Sequence, residues 1–193
     1  MMDGKDYQST LKGMYNVYNA LFSISACKAL GMETETILNG LISYQKADGR
    51  MQEFFINKDT WMLNLVKNPD GGNLTLSEFV KTNEEKQLIF CLNDFLADVE
   101  DVSWIWDIDM EMANRNEVKF FIASGKRAYD AALRMKYAGI PEEKILILPD
   151  MKKAVLEAKR NGLPANIMAT YTCLSTMVTI LSKEAEEQNR EDW

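Results

Sequence analysis

The stretch Val118-Lys119-Phe120-Phe121-Ile122-Ala123-Ser124-Gly125-Lys126-Arg127, continued by the segment to Tyr137 and by Ile145-Leu146-Ile147-Leu148, decides the fold. An apolar run of strand length ends in a Ser-Gly turn. A helix-length amphipathic segment follows, and a second short apolar run closes the unit. Strand, helix and strand at this spacing imply two parallel strands joined by a crossover helix. The alternation extends outward in both directions. Further strands are predicted at 61–66, 88–92 and 167–169, and further helices at 76–82, 106–113 and 151–160, with a last one at 174–185. The expected fold class is α/β: a Rossmann-like, mostly parallel sheet flanked by helices, over residues 55–187. A short helical segment, 1–54, precedes it. There the apolar residues Tyr15, Tyr18, Leu21, Phe22, Ala26, Ala29 and Leu30 recur at three and four before Gly31, and Ile37, Leu38 and Leu41 repeat the pattern. Residues 188–193 form a polar tail, expected to fray.

Composition narrows the function classes. The chain has 193 residues, 47% hydrophobic and 26% charged, an ordinary globular profile. Lys and Arg number 22 against 29 Asp and Glu, so the net charge is −7 and no nucleic-acid partner is expected. No apolar run approaches the roughly 18 residues of a membrane span. The opening residues lack the basic and apolar parts of a signal peptide, which points to the cytoplasm. Histidine is absent. Neither a Ser-His-Asp nor a Cys-His catalytic unit can therefore come from this chain alone, nor can a His-ligated zinc. Cys27, Cys91 and Cys173 lie far apart in apolar surroundings and read as buried thiols, with no metal site expected.

In an open parallel sheet, ligands bind beyond the carboxyl ends of the strands. None of the loops there contains a G-x-G-x-x-G or a P-loop. The densest candidate runs from Asn93 to Asp107, with Asp94, Asp98, Asp101 and Asp107, Glu100, and the indoles of Trp104 and Trp106. A carboxylate here could orient a base, accept a proton or hold Mg²⁺. It could equally cap the following helix, a role that suits Asp107. Lys67-Asn68-Pro69-Asp70-Gly71-Gly72 allows a ligand close to the backbone, although a plain turn is the stronger reading. Arg50, after Asp48-Gly49, could meet a phosphate or lie on the surface. Asn16 and Asn19 share a helix face and could serve adenine or a backbone loop. Arg127, Arg134 and Lys136 read as a solvated stripe.

Taken together, these residues resemble a known family. Gly13 to Ala20 resembles the helix that closes the ATP-binding domain of Mur ligases, and Asp48-Gly49-Arg50 resembles their Gly-Arg element. The more specific matches are Asn93-Asp94, Ala97-Asp98, Asp101-Val102-Ser103-Trp104-Ile105-Trp106-Asp107, Ser124-Gly125, Arg127-Ala128, Leu133 to Gly139 and Thr170-Tyr171-Thr172. These resemble the MurT family, the ligase-like subunits of lipid II isoglutaminyl synthase, from about residue 11 to 182. The resemblance implies a GatD-type glutaminase partner that supplies ammonia with its own Cys and His. An aspartate of the ligase-like subunit would complete that triad: Asp101 first, with Asp94 and Asp107 in reserve. Asn16, Asn19, Arg50, Lys67 and Asn68 become the nucleotide-side candidates. ATP and Mg²⁺ would serve the complete enzyme, with no tight binding expected to this chain alone. The substrate implied is the D-glutamate of the lipid II stem peptide, amidated to D-isoglutamine. Family members also carry a substrate domain and a central domain with a P-loop and a four-cysteine zinc site, neither of which occurs in this sequence. Val99-Glu100 stands where the family usually has Gly and a variable residue. That departure keeps open a non-catalytic glutaminase-docking module or a small-molecule-binding domain.

Overall fold

The computed structural model describes residues 14–44, 49–98 and 100–191; Gly13, Asp48 and Val99 of the sequence motifs lie outside them. The chain divides into two compact units, residues 1–47 and 48–193. The first contains helices α1 (Met14–Ala29) and α2 (Thr34–Ser43), separated by Gly31 in a left-handed conformation that ends α1.

The second unit is built on a six-stranded sheet in the order β1-β2-β6-β3-β4-β5. Its strands are β1 (Gln52–Ile56), β2 (Asp59–Leu65), β3 (Lys86–Cys91), β4 (Val118–Ser124), β5 (Ile145–Ile147) and β6 (Ala165–Ala169). All neighbouring pairs are parallel except β1 and β2, which form an antiparallel hairpin. Asn57 and Lys58 turn that hairpin with positive φ at both positions, the geometry that matches strand twist. Strand β1 was not anticipated. Gln52-Glu53-Phe54-Phe55-Ile56 is an edge strand that buries only Phe54 and Ile56, and the α/β unit therefore starts ahead of residue 55.

Helices cover both faces. Leu88, Phe90 and Leu92 point to one side with Phe121 and Met168. They pack under α3 (Pro69–Phe79), α4 (Ala128–Tyr137) and two 3₁₀ turns, Ser103–Asp107 and Met110–Ala113. Ile89, Cys91, Ile122 and Ile167 point to the other, under α5 (Met151–Asn161) and α6 (Tyr171–Glu191). The alternation is the period of two that a strand imposes. Central β3 and β6 are buried at every position, as expected of strands covered on both faces. The polar residues of β3 are satisfied within the fold. Gln87 donates to the Ala158 and Leu163 carbonyls at the end of α5, and Lys86 donates to the Phe79 carbonyl at the end of α3.

Five expectations change. Helix α3 starts at Pro69, not near Leu76, because Asn68 caps it: its carboxamide oxygen accepts from Gly71 N at 2.8 Å, with Pro at the first helical position. Residues 106–113 are two 3₁₀ turns instead of one helix. The Ile105 and Ile108 carbonyls are taken by Arg134, and Asp109 N donates to Asn73. Arg134 itself is not solvated but 4% exposed. Of the cysteines, Cys91 and Cys173 are buried while Cys27 is half-buried. The backbone of the expected polar tail continues α6 as far as Glu191.

Candidate functional site at the carboxyl edge of the sheet

Strand order reverses between β3 and β6. The chain leaves β3 towards β4 and β5, then returns to place β6 on the other side of β3. In this architecture the usual ligand position is the carboxyl edge at such a reversal. Asn93 ties this edge together. Its backbone N–H donates to Thr170 Oγ1 at 3.0 Å, its Nδ2 donates to Thr172 Oγ1 at 2.8 Å, and its Oδ1 accepts from Lys126 N at 2.9 Å. One side chain thus joins the ends of β3, β4 and β6.

Gly125 makes the β4 turn possible. Its φ is +86°, and an added Cβ would sit 2.5 Å from the Leu92 carbonyl oxygen and 3.0 Å from Asn93 Oδ1. The turn then passes Arg127 N to the same Leu92 carbonyl at 2.9 Å.

Four aspartates of the loop after β3 occupy different environments. Asp94 is half-buried, with its Oδ1 2.7 Å from the Lys126 ammonium and its Oδ2 3.2 Å from the Arg127 guanidinium. The ammonium, and then Arg127, hold the Asp94 carboxyl below its ordinary value. Arg127 is shared, because it also grips Asp130 with two nitrogens at 2.7 and 3.0 Å. Asp98 is 2% exposed. It accepts from Thr172 N at 2.7 Å, from the Thr172 hydroxyl, and from Phe95 N at 3.3 Å, so the loop is latched to the start of α6.

Asp101 is exposed. Its Oδ1 accepts from Ser103 N at 2.8 Å, and that N–H, helped by the Ser103 side chain, holds the carboxyl below its usual range. Asp101 is thus ionised and open to solvent. Asp107 is also exposed, but it ends the 3₁₀ turn Ser103–Asp107 and does not start a helix. Between them, Trp104 packs on the core while Trp106 is 46% exposed.

The remaining candidates belong to both units. Lys67 is exposed at the end of β2, beside Asn68, whose oxygen serves α3. Arg50 is exposed ahead of β1. Asn16 and Asn19 belong to the first unit, where Asn16 is buried and Asn19 exposed. Gly71 and Gly72 lie inside α3, and a Cβ on Gly72 would meet Ile108 Cδ1 at 2.7 Å. Among the described residues, no group of three or more His, Cys, Asp or Glu is placed to hold a metal ion. Burial pushes the Cys91 thiol well up and the Cys173 thiol up to about 11, which leaves both protonated at neutral pH.

Sequence reasoning placed Asp98 among the candidate carboxylates and Arg134 on a solvated stripe, and quoted Asn93 and Thr172 only within motifs; their contacts were not foreseen. Most of the partners lie far away along the chain: Thr172 is 74 residues beyond Asp98, and Ile105 is 29 before Arg134.

The fold is a mostly parallel α/β sheet with an acidic, histidine-free loop at its switch point. A crystal structure of MurF from Acinetobacter baumannii superposes with a TM-score of 0.68 at 20% identity, over 93% of this chain and 40% of that one. The family model described as MurT ligase C-terminal matches residues 65–174, and the chain belongs to that family. It is 34% identical over 185 residues to the lipid II isoglutaminyl synthase (glutamine-hydrolyzing) subunit MurT of Staphylococcus aureus, covering 96% of this chain and 42% of that protein. The subunit of the same name from Streptococcus pneumoniae is 30% identical over 175 residues, with 90% and 39% covered. The chain thus spans about two fifths of the length of these relatives. No described helix is long and apolar enough to cross a membrane.

Proposed function

We propose that this chain is the C-terminal part of a MurT-type amidoligase subunit acting with a GatD-type glutaminase in peptidoglycan precursor synthesis. The glutaminase would release ammonia. The ligase subunit would direct it to the α-carboxylate of D-glutamate in the lipid II stem peptide, activated as an acyl phosphate, to give D-isoglutamine. ATP with Mg²⁺ supplies that activation in the complete enzyme. Arg50, Lys67 and Asn68, with Asn16 and Asn19, would serve the nucleotide's flank. With no P-loop in the sequence, tight Mg-ATP binding by this chain alone is not expected.

One observation carries the reading. Within the family-matched span, Asp101 is exposed and held ionised by Ser103 in a chain that has no histidine. A carboxylate so placed can accept from the Nδ1–H of an imidazole on a partner, fixing its tautomer and stabilising its charged form. Asp94 is already engaged by two cations, which favours Asp101 over it. Asp107 is the reserve.

The test is glutamate release from glutamine by the glutaminase subunit bound to this chain, wild type against Asp101→Asn. Release should fall by about a hundredfold or more in the variant. Full activity in Asp101→Asn would remove the triad role, and failure of the subunits to associate would remove the reading itself.

A further inference from the structure

Helix α5 carries four cations, Lys152, Lys153, Lys159 and Arg160, against one acid, Glu157, in a chain whose net charge is −7. Ala154, Val155 and Ala158 turn inward and are buried. Lys152, Leu156 and Arg160, at i, i+4 and i+8, therefore share the outward stripe, with Lys153 beside them. All three cations are exposed, and the leucine they surround is 44% exposed.

The charges of this stripe are largely unspent. Asp150 uses its carboxylate to cap α5, accepting from the backbone N–H groups of Lys152 and Lys153. Arg160 lies 3.3 Å from Glu157, an exposed pair that holds its guanidinium only weakly. Among the described residues, Lys152 and Lys153 form no ion pair. Lys159 is the exception, turned to the buried Glu184 at 2.9 Å. The β1–β2 hairpin adds a further cation. Asn57 Nδ2 donates to the Lys159 carbonyl at 2.7 Å, which brings the exposed Lys58 to the end of α5 that carries Arg160.

Charge is divided across the sheet. From Asn93 to Asn114 the chain has seven Asp and Glu and no Lys or Arg, and that segment packs in the layer of α3 and α4. Helix α5 lies in the other layer. An anionic surface would attract the α5 side and repel the other, which fixes one orientation. The five side chains Lys58, Lys152, Lys153, Leu156 and Arg160 include no aromatic ring on which a nucleic-acid base could stack. Spread cations around one shallow apolar side chain suit a bilayer: the heads reach the phosphates and the leucine enters the headgroup layer. The acceptor named in the amidoligase reading is itself lipid-linked, and so lies at such a surface.

We infer that the outward face of α5, with Lys58, is the surface by which this chain rests on an anionic lipid bilayer. The choice of a bilayer as occupant rests on the amidoligase reading above. The test is cosedimentation of this chain with vesicles of phosphatidylglycerol and phosphatidylcholine, or of phosphatidylcholine alone, at low and at high salt. Wild type should bind the anionic vesicles only, and salt should release it. Each cation near such a surface is worth about fivefold in partitioning, so Lys152→Gln/Lys153→Gln should weaken binding by about 20-fold or more. Leu156→Ser should weaken it by about threefold. Lys81→Gln/Lys136→Gln changes the net charge equally on the other layer and should stay within about twofold. Melting temperatures should be unchanged, since all these side chains are exposed.

No binding of wild type to anionic vesicles at low salt would overturn the inference, as would equal losses in the α5 variant and the Lys81/Lys136 control. Binding to an oligouridylate in place of the vesicles would make the occupant a nucleic acid and overturn it too. Association with the glutaminase subunit, measured on the same preparations without lipid, is a separate readout. Vesicle binding that fails while that association holds removes this surface alone, and association that fails removes the amidoligase reading.

Discussion

The loop after β3 has two halves built on different principles. From Asn93 to Asp98 its polar groups turn inward: Asp98 is buried on Thr172, Asn93 bridges three strand ends, and Asp94 is clasped by Lys126 and Arg127. From Asp101 to Asp107 the carboxylates turn outward, and support comes from below through Trp104 and Arg134. The same residue type is an anchor in one half and an exposed acceptor in the other. What separates them is the supply of donors. An anchor takes several from distant segments, whereas Asp101 takes its donors from Ser103, two residues away, and still faces solvent. An anchor is read by stability and an exposed acceptor by activity, so the two halves predict opposite phenotypes for the same substitution.

The largest effect should come from Asp98. Asp98→Ala would strand the Thr172 N–H and hydroxyl and the Phe95 N–H in a buried site. Each stranded donor costs about 1–3 kcal/mol, and water entering the cavity offsets part of the sum. A net loss of about 3–5 kcal/mol is expected in urea unfolding. Asp98→Asn should lose less, because a carboxamide oxygen can still accept from Thr172 N. A variant Asp98→Ala as stable as wild type would erase the distinction between the halves.

Next is the brace under the outward half. Arg134→Met keeps the stem that packs on the core but removes the donors to the Ile105 and Ile108 carbonyls and to Glu111. The expected loss is about 2–4 kcal/mol, since two buried carbonyls lose charged partners. Trp106 reports locally. Its fluorescence should shift towards that of a solvated indole even where the rest of the chain remains folded. Arg134→Lys should recover only part of the loss, because an ammonium lacks the planar fork that meets several acceptors at once.

These two residues also mark where the sequence stops being informative. The strand-helix-strand unit from Val118 to Leu148 was legible because both of its periodicities are local. The start of α3 was present in Asn68-Pro69-Asp70 but was read as a turn, since cap and turn use the same residue types. Arg134 was read as surface because a charged residue on an amphipathic helix usually is. The carbonyls that bury it belong to residues whose 3₁₀ conformation no periodicity announces. The acidic loop stood out in the sequence by its charge, and Asp101 within it is exposed. That Asp98 rather than Asp107 is the structural member depends on Thr172, which only the return of β6 beside β3 brings near.

The smallest effect separates two carboxylates that behave alike on the surface of the argument. Both Asp94 and Asp101 are held below the ordinary value of 3.8, the first mainly by the Lys126 ammonium and the second by the Ser103 backbone N–H. A carboxyl whose folded value is depressed adds stability above its unfolded value, and that contribution disappears as the pH falls through the folded one. Asp94→Asn and Asp101→Asn should therefore each fall below wild type at neutral pH, with both gaps closing as the pH drops below about 3.8. Salt should tell them apart. Raising NaCl from about 0.05 to 1 M screens the ion pairs of Asp94 and narrows its gap, while the short hydrogen bond from Ser103 to Asp101 is little affected. Thermal unfolding of the two variants across pH and salt measures this directly. Equal salt sensitivity would mean that Lys126 and Arg127 are not what holds Asp94, and the inward half would then be anchored by Asn93 and Asp98 alone.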